Sequence, residues 1–218
     1  NIAACEKACA RIRAGIETLA SNDKAWDAFQ LANRAMFMQR VHIRLQEETS
    51  NVARFPGDAQ LEALLRQIED DGYETADEKI RDPYAWRLFQ IAFLLMSVDS
   101  IATQGHPDRE LVDLIWFPTG GGKTEAYLGL TAFAIFFRRL EYPGQSGGTA
   151  VMMRYTLRLL TAQQFTRAST LICACEFIRR DATSRRPRYG RYPLGDERIT
   201  IGLWIGGNHT PNKNEGDK

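Results

Sequence analysis

The chain has 218 residues, 44% hydrophobic and 25% charged, with 28 lysines and arginines against 27 acids for a formal net charge of +1. This is an ordinary globular composition, sufficient for one large domain or two small ones, and the charge alone gives no ground for affinity to polyanions or membranes. The longest apolar runs, such as Ile91 to Met96, fall well short of the roughly 18–20 residues of a spanning helix, and no signal-peptide pattern opens the chain, so it reads as cytoplasmic.

From Ala3 to about Leu45 the apolar positions recur at helical spacing, first Ile12, Ile16 and Leu19, then Trp26, Phe29, Leu31, Met36, Phe37 and Val41. Ser21-Asn22-Asp23 between the two sets supplies a break and a cap, which predicts a helical hairpin or bundle. A further helix is predicted over 59–71, where Leu61, Leu64, Leu65 and Ile68 share a face, and another from Pro83 to about Ser100, with Gly57 and Gly72 as punctuation. After Pro107 the pattern changes. Leu111 to Phe117 is a nearly continuous apolar run ending in Pro118, the signature of a buried parallel strand, and Thr149 to Arg154 and Ile199 to Ile205 repeat it. Helical patterns over 123–140 and about 157–180 lie between these runs. The alternation of strand and helix predicts an α/β fold with a parallel sheet, preceded by an all-α region. The organisation expected is a helical N-terminal region over 1–82 followed by a nucleotide-binding unit over 83–218. Cys5, Cys9, Cys173 and Cys175 form two tight pairs without C-x-x-C or histidine partners at zinc spacing, so buried free thiols are expected rather than a metal site. The first residue, Asn1, and the polar closing stretch NHTPNKNEGDK suggest an excerpt of a longer polypeptide.

The junction WFPTGGGKTEAYLGL carries the chemistry. A predicted strand runs into Gly120-Gly121-Gly122-Lys123-Thr124 and then a predicted helix, which is the context a phosphate loop, or Walker A motif, requires. Glycines let successive N–H groups curl around a phosphate because no Cβ blocks the approach, and the helix behind aims its positive end at the same spot. Thr119 belongs to the same loop. Lys123 is expected to reach the β and γ phosphates of ATP and the Thr124 hydroxyl to ligate Mg2+. The strict pattern asks for glycine where Phe117 stands.

That departure, Pro-Thr-Gly-x-Gly-Lys-Thr with a larger residue in front, resembles the first motif of superfamily 2 helicases and translocases. Three other stretches are similar to motifs of that superfamily. MRYTLRLLTAQQFTRA, 153–168, resembles the motif in which a strand ends in a polar turn and a leucine-rich helix carries a glutamine. Gly206-Gly207 with Thr210-Pro211 resembles the glycine-ended strand that faces nucleic acid, and Trp86-Arg87-Leu88-Phe89-Gln90 resembles an aromatic-glutamine adenine-reading motif. The combination of FPTGGGKTEAYLGL, RYTLRLLTAQQFTRASTLICACE, IGLWIGG and the helical FQLANRAMFMQRVH is similar to the helicase subunits of DISARM anti-phage defence systems. The resemblance implies the front part of a first RecA-like lobe, ATP and Mg2+ as cofactors, DNA and a partner subunit of a defence complex as partners, and no membrane. It assigns Gln90 to the nucleotide and Arg154, Tyr155, Thr156, Arg158, Gln163, Gly206, Gly207 and Thr210 to nucleic acid.

Each of these has a plainer competitor. Arg154 and Arg158 could cover a sheet edge with solvated charge, Gln90 could be a surface helix glutamine, and Glu125 is favoured in a first helical turn by the dipole alone. The tract RRDATSRRPRYGRYP, 179–193, with six arginines and two tyrosines, suits a nucleic-acid backbone but also an ordinary basic loop. The second acid of an ATP motor is not evident: Asp196-Glu197 lacks a preceding apolar strand, Glu176 follows a helical run, and Asp99 precedes the phosphate loop. The reading is an ATP-driven DNA helicase or translocase, this stretch alone binding ATP weakly and hydrolysing it hardly at all. A P-loop switch acting on protein partners and a non-catalytic interaction platform stay open.

Overall fold

The computed structural model describes residues 2–49, 58–73, 84–118, 120–155 and 158–204. Regular structure among them is helical: α1 (Ile2–Ser21), α2 (Asp23–Thr49), α3 (Asp58–Tyr73), α4 (Leu88–Ala102), a 3-10 turn (Pro107–Glu110), α5 (Lys123–Glu141) and α6 (Arg158–Ala182). The predicted break between the first two helices is a cap. The side-chain oxygen of Asn22 accepts the Ala25 N–H at 3.1 Å, satisfying one of the donors that a helix start leaves without a partner.

α5 is the central element, buried nearly all round: Leu128, Ala132, Phe133, Phe136 and Leu140 all lie in the core. A helix apolar on every side has to be covered on every side. α2 packs along it and along α6, α4 packs on its other flank, and α1 lies on α4. One continuous core therefore runs from Leu19 and Leu31 through Phe133 to Leu171 and Ile178. Each such side chain contributes about 1.5–3 kcal/mol by leaving water. Close approach is set by glycine at two places. A Cβ on Gly15 would run into the Leu95 carbonyl oxygen, and one on Gly129 would sit 2.5 Å from the Trp86 ring.

The predicted parallel sheet is absent from the described residues, which contain no strand, so the RecA-like α/β expectation is corrected and only the all-α part of it fits. Residues 111–117, 149–154 and 199–204 are non-helical and unladdered, and position 205 lies outside the described residues. Most of their large apolar side chains face solvent, Val112 being 96% exposed, Trp116 91% and Trp204 75%, while Ile199 is buried in the core. The physical reason is that apolarity specifies a need for cover and not the partner that supplies it. The faces of α5 and α6 are covered by α2, and the connecting stretches are tied by side chains instead of by ladders. Arg11 grips Asp113 at 2.6 and 2.8 Å, Arg138 donates to the Gly147 carbonyl at 2.6 Å, and Glu176 accepts the Ile199 N–H at 3.0 Å. No helix among the described residues is long and apolar enough to cross a membrane.

Candidate nucleotide-binding site

The glycine-rich junction forms a tight turn at the N-terminus of α5. The Gly121 N–H donates to the Pro118 carbonyl at 3.1 Å, and Gly120 and Gly122 take φ values of 79° and 87°, a region that a residue bearing a Cβ enters only with strain. Such alternation of backbone conformation makes a concavity lined by N–H groups, and the first helical turn behind it adds its own unpaired donors and the positive end of the helix dipole. Lys123 folds across the turn, its ammonium donating to the carbonyls of Phe117 at 2.6 Å and Pro118 at 3.1 Å. Thr124, half-buried, follows in the first helical turn. The residues present fit a polyphosphate: left-handed glycines, a helix N-terminus and one lysine within the same few residues.

The turn is held from behind by α4. Arg87 donates to the Gly121 carbonyl at 2.8 Å, and Gln90, only 4% exposed, donates to the Gly122 carbonyl at 2.7 Å while accepting the Arg87 N–H at 2.8 Å. The amide of Gln90 thus braces both the loop and the start of its own helix. Phe117 stacks on Phe89 with ring centroids 4.0 Å apart, which gives the residue departing from the strict motif a role as the anchor of the loop. Trp86, resting on Gly129, donates its indole N–H to Asn33 of α2 at 2.6 Å. Glu125 is ion-paired with Arg167 of α6, and the Arg167 carbonyl accepts from Gln39 of α2 at 3.0 Å. Sequence reasoning passed over Asn33, Gln39 and Arg167. The signal for the first two was the interruption of the apolar pattern of α2 by amides inside FQLANRAMFMQRVH. A cavity of about 550 Å3 lies between α2, residues 84–86, Gln90 and Glu125.

The residues expected to meet nucleic acid lie elsewhere. Arg154, exposed, and Tyr155, half-buried, line a second cavity of about 1020 Å3 between α5, α6 and the stretches 146–155 and 197–204. Burial pushes the Tyr155 phenol up, with Tyr127 of α5 adding to the effect. Gln163 is exposed, and its neighbour Gln164 lines the same cavity with a buried carbonyl oxygen that has no hydrogen-bond partner. Arg158 opens α6. Thr119, Thr156, Gly206, Gly207 and Thr210 lie outside the described residues.

Two of the acids weighed for the metal, Asp99 and Glu176, are engaged in structural work. Asp99 accepts from the hydroxyls of Thr18 and Thr103, both at 2.9 Å, with His106 at 3.1 Å. Glu176 binds Arg179 through both carboxylate oxygens at 2.7 Å, and that guanidinium holds its carboxyl below the ordinary glutamate range. Among the described residues no group of three His, Cys, Asp or Glu side chains could hold a metal ion. Cys175 is buried, its thiol pushed up by that burial, whereas Cys5, Cys9 and Cys173 are exposed, which corrects the expectation of buried thiols. The arginine tract is partly consumed by the fold. Arg179 holds the Gly195 carbonyl at 2.9 Å, Arg191 the Arg185 carbonyl at 3.0 Å, and Asp181 accepts the N–H groups of Arg188 and Tyr189, while Arg185, Arg186 and Arg188 remain exposed.

No protein-family model matches the chain. It is 36% identical over 217 residues to the DISARM protein DrmA of Bacillus paralicheniformis (strain ATCC 9945a / NCIMB 11709 / CD-2), the alignment taking in 96% of this chain. The chain spans 17% of the length of that relative.

Proposed function

We propose that the chain is a segment of a DrmA-type protein of a bacterial anti-phage DISARM system, and that it supplies the ATP-binding loop of a DNA helicase or translocase. The observation that supports this best is the turn at 118–123, where two left-handed glycines, a helix N-terminus and Lys123 converge and are braced by Arg87 and Gln90. Backbone N–H groups of the turn hold the phosphates, Lys123 neutralises the β and γ oxygens, and the Thr124 hydroxyl is one ligand of Mg2+. ATP, when bound, supplies the phosphoryl group whose transfer to water drives movement on DNA. Arg154, Tyr155 and Arg158, beyond the same central helix, contact the DNA backbone, as do the exposed arginines of 185–188.

The test is steady-state ATPase of the whole protein with and without DNA, alongside nucleotide binding. Lys123→Ala is expected to abolish turnover, because the phosphates lose the one side-chain cation of the loop. Changing Arg154 and Arg158 together to Ala is expected to lower DNA-stimulated turnover far more than basal turnover. Retained turnover in Lys123→Ala sinks the loop assignment, and a parent without DNA stimulation sinks the translocase reading.

A further inference from the structure

We infer that Arg167 of α6 is a positioning residue of the phosphate loop: by pairing with the Glu125 carboxylate it cancels a negative charge at the edge of the turn and so sets how tightly polyphosphate binds. The inference rests on the phosphate-loop reading above and deepens it. Glu125 lies in the first turn of α5, directly after Lys123 and Thr124. Its Oε2 stands 3.4 Å from where a Cβ on Gly122 would be, against a left-handed glycine of the turn. Its Oε1 is ion-paired with the Arg167 guanidinium. The carboxylate therefore faces the loop with one oxygen and α6 with the other.

An acid in that place competes with the loop's own ligand. The unpaired N–H groups and positive helix end that favour phosphate also favour the side chain of Glu125. Like charges repel across a partly buried site more strongly than in open water, so a bare carboxylate there opposes an arriving polyphosphate. Pairing with Arg167 cancels that repulsion and keeps the acid at the helix start. The arginine is held for this task. Its backbone carbonyl accepts from the amide of Gln39, 2% exposed, at 3.0 Å, so α2 fixes the point on α6 from which the guanidinium reaches. Arg40 of α2 bears on the same guanidinium as a like charge, and Glu125 is the acid paired with it. Changes of charge at 125 and 167 therefore act on anion affinity with opposite signs. An ion pair that merely joined α5 to α6 would give losses of the same sign at both positions.

Calorimetric titration of the whole protein with inorganic tripolyphosphate and with ATP, without added Mg2+, provides the test for the parent, Arg167→Gln, Glu125→Gln, the double variant and Lys123→Ala. Arg167→Gln is expected to bind both ligands about tenfold more weakly, because an uncancelled carboxylate then stands beside the turn. Glu125→Gln is expected to bind them about threefold tighter, and the double variant to return to within about twofold of the parent. The loss in Arg167→Gln shrinks as salt rises, since screening weakens the repulsion. A loss at Arg167 that Glu125→Gln does not repair or that salt leaves unmoved, unchanged or weaker binding in Glu125→Gln, or equal affinity in the parent and Arg167→Gln overturns the inference and leaves the phosphate loop standing. A parent that binds neither ligand, or Lys123→Ala binding as tightly as the parent, overturns the loop reading and the inference with it. If Arg167→Gln does not fold, Arg167→Lys, which keeps the charge, is expected at parent affinity and Glu125→Gln above it. A tenfold loss in Arg167→Lys, or no tightening in Glu125→Gln, then overturns the inference.

Discussion

Phe133 of α5 and Val112 of the stretch before the loop are both large apolar residues, yet the first has no exposed surface and the second is almost wholly in water. The contrast holds for the regions they represent. A helix satisfies its own backbone, so its side chains are free to be buried by whichever helix arrives, and α2 arrives against both α5 and α6. An extended stretch has to find backbone partners outside itself. Here some are found singly, in the guanidiniums of Arg138 and Arg139 and the carboxylate of Glu176, and large side chains such as Val112, Leu114, Trp116 and Trp204 are left uncovered although Leu194 and Ile199 reach the core. Stability in this molecule is therefore concentrated in helix contacts, with the connecting stretches held by a few charged clasps.

The largest effect expected from that contrast is in the core. Phe133→Ala should lower unfolding free energy by about 3–5 kcal/mol, whereas Trp116→Ser should change it by no more than about 0.5, both read from denaturant midpoints. Comparable losses at the two positions would break the distinction. Gly129→Leu comes next, with about 1–3 kcal/mol lost, because the added side chain displaces the Trp86 ring from α5. An unchanged midpoint there would mean that the indole moves aside without loss.

The clasps should show losses no larger than that, with a distinctive pH dependence. Glu176→Gln weakens the grip on Arg179 and Ile199 at about 1–3 kcal/mol near neutral pH. The carboxyl is held below its ordinary range chiefly by the hydrogen bond from Arg179, so its contribution is fully present above the ordinary glutamate value and is lost as pH falls through the lowered one. Melting curves of parent and variant should converge on acidification, and a gap constant down to pH 3 would assign the effect to packing. Smallest is Trp86→Phe, which gives up the hydrogen bond to Asn33 for about 1 kcal/mol. A loss well above that would place Trp86 among the core contacts rather than among the clasps.

The same contrast explains what could be read from the sequence. Helices were legible because a period of 3.6 is written into one segment at a time: the cap at Asn22 and the start of α5 at Lys123 stand where the pattern puts them. Residues 111–117 carry an equally clear apolar signal, but whether such a run is a strand depends on a partner far away in sequence, and periodicity holds no record of that partner. The candidate site divides in the same way. The turn at 120–124 is local and was legible, while Arg87, Asn33 and Gln39 act on it or beside it across long sequence separations. The sequence resemblance assigns Gln90 to the nucleotide, whereas its contacts with Arg87 and Gly122 are not written in spacing.

The ammonium of Lys123, clasped by the carbonyls of Phe117 and Pro118, is solvated by the chain itself. An anion arriving at the turn competes with two backbone dipoles, and the free energy of association is the difference between the two sets of partners. A weakly basic monoanion such as chloride gains little from that exchange. A multiply charged oxyanion gains charge-assisted bonds at several atoms at once. In the proposed phosphate-binding role the lysine would thus act as a threshold, favouring ligands dense in charge over common salt. The Pro118 carbonyl that such an exchange would release also closes the turn on Gly121, so in the proposed role the arrival of a ligand would be felt by the backbone at the moment the side chain lets go.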